Sequence, residues 1–502
     1  MADINIGVNL IESLTTGMYK DARTIFREYV QNSCDAIDAA GGSGKIEITI
    51  DEAARYIRIA DDGCGINARV FESTLRDVAN SGKSSADNKG FRGIGKLCGL
   101  AYCETLKFTS VADGDSKACW MTFNAKELRK NFYENEKKPR ENFSKNKQIS
   151  AGDALNNVIE SGDCAAEIPH GFKVELSGVK NAELLDADGI KKYLAEVAPA
   201  PYSSDFTFAS KIHAHAAALG FKIDEYEITV NGTQIFKPYR NVISSRGFRD
   251  ELFAVSFRDF YDGGRLLAWS WIGLTGFRGQ IKGDVPSRGL RLRKGNIQIG
   301  DETALQSFFT EVRGTYYFVG EVFAADKNLI PNSQRDYFIP NGTRETFEAA
   351  LRDYFKELYR LYHGASEINS AKKKIRDYRD ALDKFPIDNS KSIENIMRVK
   401  FKLIEAGDKA KQAHCTIKQE IARACENPDD DLSRVVFYLT QNADEIIIPK
   451  RRITPPLARL DGILGKIYRQ VESNADTKKD FTAKILDAVC SGTDNETGVL
   501  IL

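Results

Sequence analysis

The run Arg27-Glu28-Tyr29-Val30-Gln31-Asn32-Ser33-Cys34-Asp35 decides how the first third of this chain is read. It lies within Asp21 to Ala40, a stretch of helical periodicity ended by Gly41-Gly42. Glu28, Asn32 and Asp35 are spaced i, i+4, i+7. At about 100° per residue they share one narrow arc of the helix. Phe26, Val30, Ser33 and Ile37 fall on the opposite side, facing a core. Two carboxylates and an amide therefore point into one place. A solvated face carries Glu and Asp as readily, but it calls for neither the amide on the stripe nor the segments that follow.

Those segments are Asp61-Asp62-Gly63-Cys64-Gly65, Ser81-Gly82-Lys83 and Gly90-Phe91-Arg92-Gly93-Ile94-Gly95. Ile57 and Ile59 alternate as in a strand, and Asp61 stands where that strand ends. Gly63 and Gly65 let the backbone approach a planar ligand. A carboxylate there accepts from the exocyclic amine of adenine, a donor that guanine lacks at that position. Taken alone, the segment also reads as an ordinary Asp-Gly turn. Gly90, Gly93 and Gly95 precede Lys96-Leu97-Cys98-Gly99-Leu100, a predicted helix whose first N–H groups suit phosphate. Gly90 through Lys96 also fits G-x-x-x-x-G-K, but Leu97 stands where a P-loop needs a hydroxyl, and no strand leads into it. No strand, Gly-rich turn and helix open the domain, so a dinucleotide fold is excluded. Asn67 to Lys89 holds one helix-like stretch and then the small polar run Ala79 to Ser85, which suits a lid over a nucleotide. Together the four segments predict a site for ATP and Mg2+.

The bulk composition fits this. At 502 residues, about three domains are expected. Lys plus Arg and Asp plus Glu are 71 each, which argues against a globally basic nucleic-acid binder. Nine cysteines are scattered without a CxxC pair, as suits free thiols in a reducing compartment. The first residues carry no basic segment followed by an apolar core, and no apolar run approaches the roughly 20 residues of a membrane span, so a cytoplasmic protein without membrane partners is expected.

Three parts are expected: an ATP-binding domain over 1–200, an α/β middle domain over 206–362 and a helical region over 366–502. In the first, strands are predicted at Leu106–Val111, Trp120–Asn124 and Phe172–Leu176, with Lys126–Lys147 a polar surface insertion. Ala198-Pro199-Ala200-Pro201-Tyr202 reads as an interdomain joint. In the second, strands are predicted at Tyr226–Val230, Leu266–Ile272 and Asn296–Ile299. His213 and His215 alternate as on a strand, but without a third ligand they predict no metal site. In the third, Ser370–Asp383, Ser392–Ala406, Asp408–Cys425, Leu432–Asn442 and Leu457–Ser473 suit amphipathic helices.

The residues resemble the GHKL ATPases, which include DNA gyrase, the heat-shock chaperone HtpG, histidine kinases and the mismatch-repair protein MutL. Tyr19-Lys20-Asp21 through Asp38 and the run Ser81-Gly82-Lys83 are most similar to the chaperone branch. Gly90-Phe91-Arg92-Gly93 is similar to MutL, and the MORC ATPases are built on similar parts. The resemblance covers 1–200 and, more loosely, 206–340. It implies an α+β chain: a two-layer α/β sandwich ATPase domain, an α/β middle domain and an all-helical C-terminal region. It implies Glu28 as the general base, Asn32 as the magnesium ligand and Asp61 as the reader of adenine, with Asp35 supporting the pocket. Gly63, Gly65, Gly90, Gly93 and Gly95 would shape the pocket and hold phosphate, with Ser81, Lys83 and Lys96 as further nucleotide contacts.

The chain departs from the family at His170-Gly171-Phe172, where the family often has Gly-Thr. That Thr contact to adenine is not expected here, and His170 reads as structural. Leu329-Ile330-Pro331-Asn332-Ser333-Gln334-Arg335-Asp336 resembles the chaperone's arginine loop. Arg335 is the candidate clamp on γ-phosphate charge, a surface contact with Asp336 being the other reading, and Lys294 is the alternative cation. The implied activity is that of a homodimeric Mg-ATP-hydrolysing conformational machine that remodels protein clients as a chaperone does. The alternative is a MutL- or MORC-like clamp on DNA, in genome maintenance or defence against foreign DNA. Zero net charge counts against the latter.

Overall fold

The computed structural model describes residues 21–42, 44–78, 93, 95–137, 150–166, 170–383 and 393–449. Its chain divides into two compact units, one drawn from Met1–Leu274 and Gln280–Tyr359, the other from Thr275–Gly279 and Arg360–Leu502.

The first unit opens with helix α1 (Thr24–Ala39), followed by strands β1 (Lys45–Asp51) and β2 (Tyr56–Asp61), helix α2 (Ala68–Arg76) and a 3-10 helix, Gly95–Ala101. Strands β3 (Thr105–Val111) and β4 (Lys117–Asn124) lead to helices α3 (Ala125–Lys137) and α4 (Ala151–Asn156). Next come β5 (Ile159–Ala165), β6 (Gly171–Ser177) and helix α5 (Ala187–Val197). The expected strands are all present and run a few residues longer. Part of the expected insertion, Lys126–Lys137, is helical, and the rest of it lies outside the described residues.

Alternation makes the first sheet. In β1, Ile46, Ile48 and Ile50 turn inward, and the antiparallel register sets Ile48 against Ile59 of β2. The same core takes Leu106, Phe108, Val174 and Leu176 from β3 and β6, and Ile25, Phe26, Val30 and Ile37 from α1. The strand order is β5-β4-β3-β6-β2-β1-β7-β8, where β7 is Glu227–Val230 and β8 is Thr233–Gln234. Strand β7 pairs parallel with β1, so chain from beyond the Pro-bearing segment completes the first sheet. That segment, expected as a joint, is packed. Ala198, Ala200 and Tyr202 are buried, and the carbonyls of Pro199 and Pro201 accept from Tyr226 N–H at 3.0 Å and Lys237 N–H at 2.9 Å.

The unit's second sheet has the order β11-β12-β15-β13-β14. Its strands are β11 (Ala254–Asp262), β12 (Arg265–Leu274), β13 (Gly289–Lys294), β14 (Ile297–Ile299) and β15 (Val319–Ala324), with β13 parallel to β15. A hairpin, β9 (Val242–Ser245) with β10 (Phe248–Glu251), and helix α6 (Ala209–Ala218) belong to the same region. Trp269, Trp271, Tyr239 and Phe323 form its core. His213 and His215 lie on α6, not on a strand. Five alanines in ten residues favour helix over the short alternation that suggested β. His213 meets Glu225 at 3.2 Å, and His215 meets Asp259 at 2.8 Å while stacking on Phe257. Among the described residues no three His, Cys, Asp or Glu could hold a metal ion.

The second unit is helical. Helix α7 (Gly342–Asp383) contributes its residues from Arg360 on and contains the expected Ser370–Asp383 helix. It packs on α8 (Ile393–Glu426) through Ala371, Ile375, Ala410, Ala413 and Ile417. Two helices were expected where α8 is one. Gly407 does not break it, because the missing side chain lets the Tyr378 ring approach, and a Cβ there would lie 3.1 Å from that ring. Helices α9 (Asp431–Thr440, N-capped by Asp430) and α10 (Ala443–Ile446) follow, and the expected Leu457–Ser473 helix lies outside the described residues. No helix among the described residues is long and apolar enough to cross a membrane.

Candidate functional site

Helix α1 is buried on almost every side, its polar stripe included. Glu28 and Asp35 are buried, and Asn32 is half-buried. The Glu28 carboxylate sits between two guanidinium groups. Arg335 Nε lies 3.5 Å and Arg27 Nη2 3.8 Å from Oε1. Arg27 Nη2 also donates to the Gln334 carbonyl at 3.4 Å, so both arginines belong to one contact between α1 and the loop after β15. Among the described residues, Glu28 Oε1, Arg27 Nε and both amide atoms of Gln31 are buried with no hydrogen-bond partner. Buried polar atoms of native proteins are seldom left so. Two cations around one carboxylate leave net positive charge at this end of the site, where an anionic ligand gains most.

Gly95 closes one side of Glu28: a Cβ there would lie 2.6 Å from Oε2. The helix expected over Lys96–Leu100 is a 3-10 helix that starts at Gly95, and it is tied to α1 by Tyr29. Its hydroxyl accepts from Gly99 N–H at 3.0 Å and donates to the Lys96 carbonyl at 3.2 Å. Lys96 itself donates its ammonium to the carbonyls of Thr74 and Asp77 at 2.5 Å, at the end of α2. Burial pushes its pKa down to about 8. Gly93 holds a φ of +70°. Ser81, Lys83 and Gly90 lie outside the described residues.

At the other end, Asp61 terminates β2. Its carboxylate accepts from Gly63 N–H at 3.1 Å and from the Ser33 hydroxyl and Phe172 N–H. Burial outweighs these donors and pushes its pKa up to about 6. Gly63 lies against α1, where a Cβ would come 2.7 Å from the Ala36 backbone, and Cys64 N–H donates to the Ala36 carbonyl at 3.1 Å. Gly65, at φ +64°, packs on the Val111 carbonyl. His170 places Nδ1 2.9 Å from the Gly63 carbonyl. Phe172, in the place of the family's Thr, meets Asp61 through its backbone as the antiparallel partner of that residue.

Of the two middle-region cations, Arg335 is at Glu28. The Lys294 ammonium donates to the Asp326 carbonyl at 2.7 Å, and burial lowers its pKa to about 8. Helical spacing alone missed four residues: Arg27, Tyr29 and Gln31, and Ser33, which was assigned to the apolar face. A hydroxyl on an otherwise apolar stripe was the available signal for Ser33.

Residues 21–152 match the family model described as histidine kinase-, DNA gyrase B-, and HSP90-like ATPase. The match gives this segment the character of a GHKL-type ATPase domain within the first third of the chain. The matched segment of the GHKL domain holds α1, the Asp61 turn and Gly95, and therefore most of the site. No curated protein matches the chain.

Proposed function

We propose that the chain binds and hydrolyses Mg-ATP, and that hydrolysis depends on Arg335 reaching the GHKL domain. The observation that carries this reading is the buried approach of Arg335 to Glu28 at 3.5 Å. Asp61 accepts the adenine amine while Ser33, Gly63 and Phe172 hold its carboxylate in place. Gly63, Gly65 and Gly95 give the backbone its close approach.

The donor set fits a magnesium ion. Asn32 offers an amide oxygen one helical turn from Glu28, and a hard cation that keeps water and phosphate oxygens needs few protein ligands. When bound, the ion neutralises charge on the phosphates. Glu28 orients a water and takes its proton as the oxygen attacks the γ-phosphorus and the bond to the β-phosphate oxygen breaks, giving ADP and phosphate. Arg335 stabilises the charge that develops, and Arg27 holds the loop carrying Arg335 through the Gln334 carbonyl.

The work is done on a protein partner, in the manner of a homodimeric chaperone, with contacts that differ between two states of the chain. The balance of 71 basic and 71 acidic residues favours this over a DNA clamp of the MutL or MORC type. Glu28→Ala is expected to bind ATP in calorimetry while phosphate release falls by about 10²–10⁴-fold. Turnover retained in that variant removes Glu28 as the base. Stimulation of turnover by unfolded protein supports the chaperone reading, whereas stimulation by DNA that fades steeply with salt replaces it with the clamp.

A further inference from the structure

We propose that Asn332 and Gly300 are positioning residues that hold Arg335 against Glu28. The inference rests on the hydrolysis reading above and adds what fixes its cation. Arg335 has a φ of +56° and is buried. A left-handed conformation is costly for a residue with a side chain, and it persists only where the surroundings over-determine it. Here they do. Asn332 donates its N–H to the Tyr337 carbonyl at 2.8 Å, and its own carbonyl accepts from Arg335 N–H at 3.2 Å. Its side-chain amide donates to Asp336 Oδ1, and its Oδ1 accepts from Asp336 N–H at 3.3 Å. One asparagine thus clasps a turn from both sides, below a bridge between Pro331 and Phe338.

The second sheet holds the same turn from outside. Gly300, just past β14, donates its N–H to the Arg335 carbonyl at 2.8 Å. It does so at φ +67°, where a Cβ would lie 2.7 Å from the Asp336 carbonyl oxygen and 2.8 Å from Ala304 Cβ. Only glycine combines that backbone with that approach. The buried Gln298 amide donates to the Gly300 carbonyl at 3.0 Å and so fixes the glycine in turn. The Arg335 backbone is therefore set by β14 and Asn332, leaving the side chain to meet Glu28.

A turn serving the fold alone and a turn that aims a cation differ in one measurable way. If Asn332 and Gly300 act through Arg335, their removal matters only while Arg335 is present. The test compares wild type with Asn332→Ala, Gly300→Ala, Arg335→Ala and the doubles of each positioning variant with Arg335→Ala. Phosphate release and ATP affinity are measured on the full chain, with circular dichroism to verify the fold. Each positioning variant is expected to lower kcat about tenfold with ATP affinity within about twofold, since misplacement by an ångström or less is enough. In the Arg335→Ala background the further loss is expected to shrink below about twofold. An equal loss in both backgrounds, or unchanged kcat in both positioning variants while Arg335→Ala is impaired, overturns the proposal and leaves the hydrolysis reading standing. Full turnover in Arg335→Ala, or none in wild type, overturns the reading and this inference with it.

Discussion

Asp61, proposed above to accept the adenine amine, shows what burial costs a carboxylate. Burial lifts its pKa from 3.8 to about 6, although three donors favour the ionised form. A raised pKa means that the fold prefers the protonated acid. The stabilisation is full below about pH 4 and is lost as pH rises through about 6, so at neutral pH the ionised carboxylate is a burden of about 3 kcal/mol. Asp61→Asn removes the burden at the loss of one hydrogen bond, about 1 kcal/mol. The variant should melt a few degrees above wild type at pH 7.5 while losing ATP binding in calorimetry. Wild-type affinity should itself weaken below about pH 6, approaching tenfold per pH unit, as the acceptor for the adenine amine is protonated. A flat affinity between pH 5 and 7 would separate Asp61 from adenine recognition.

The elements around Glu28 were legible in unequal measure. Alternating Ile46, Ile48 and Ile50 announced β1, and the Glu28, Asn32, Asp35 spacing announced α1, because period 2 and period 3.6 are properties of the local chain. The pairing of β7 with β1 was not legible, since parallel partners 182 residues apart in register, Lys45 and Glu227, leave no local trace. Where the ammoniums of Lys96 and Lys294 are held was not legible either, because composition names a cation and tertiary carbonyls decide its place. Ser33 was assigned to an apolar face that proved to border Asp61. Gly95 is where element packing and chemistry meet. Gly95→Ala puts a Cβ 2.6 Å from Glu28 Oε2, too close for any real contact, so the carboxylate must shift. The flexible end of Glu28 gives way more easily than the backbone, and the fold should survive with kcat lowered about 10²-fold and ATP still bound. Single-turnover phosphate release with a parallel binding titration checks this, and an unaltered rate would show that the position of Glu28 does not limit hydrolysis.

Within the first unit, one buried carboxylate and its arginine join the second sheet to helix α5 and to the chain at Tyr202 and Lys237. Glu321 of β15 is fully buried and accepts from Arg293, from Lys237 Nζ at 3.0 Å, from the Tyr202 hydroxyl and from Trp271 Nε1 at 3.1 Å. Arg293 passes the connection on, donating to the Glu196 carbonyl at the end of α5 at 2.9 Å and to the Asn296 carbonyl at 3.1 Å. Burial opposes the charge on Glu321, but Arg293 and Lys237 outweigh it and hold the carboxyl well below its usual range. Burial likewise pulls the Lys237 pKa down, against the pull of Glu321. The three charged groups are thus unequal. Arg293 stays charged and makes the link to α5, whereas Lys237 is the cation the site holds least firmly, its ammonium also over the Tyr202 ring at 4.3 Å. Removing the carboxylate strands two buried cations. Glu321→Gln is therefore expected to cost about 3–5 kcal/mol, read as a fall in the urea midpoint of the first unit's transition. Lys237→Met removes a cation that burial already disfavours and puts a side chain of similar length beside aromatic rings, so its cost should stay within about 1.5 kcal/mol. The order of the two variants is the decisive quantity. Equal losses would mean that Lys237, and not Arg293, supplies the charge that keeps Glu321 ionised, and the link from β15 to α5 would then lose its electrostatic basis.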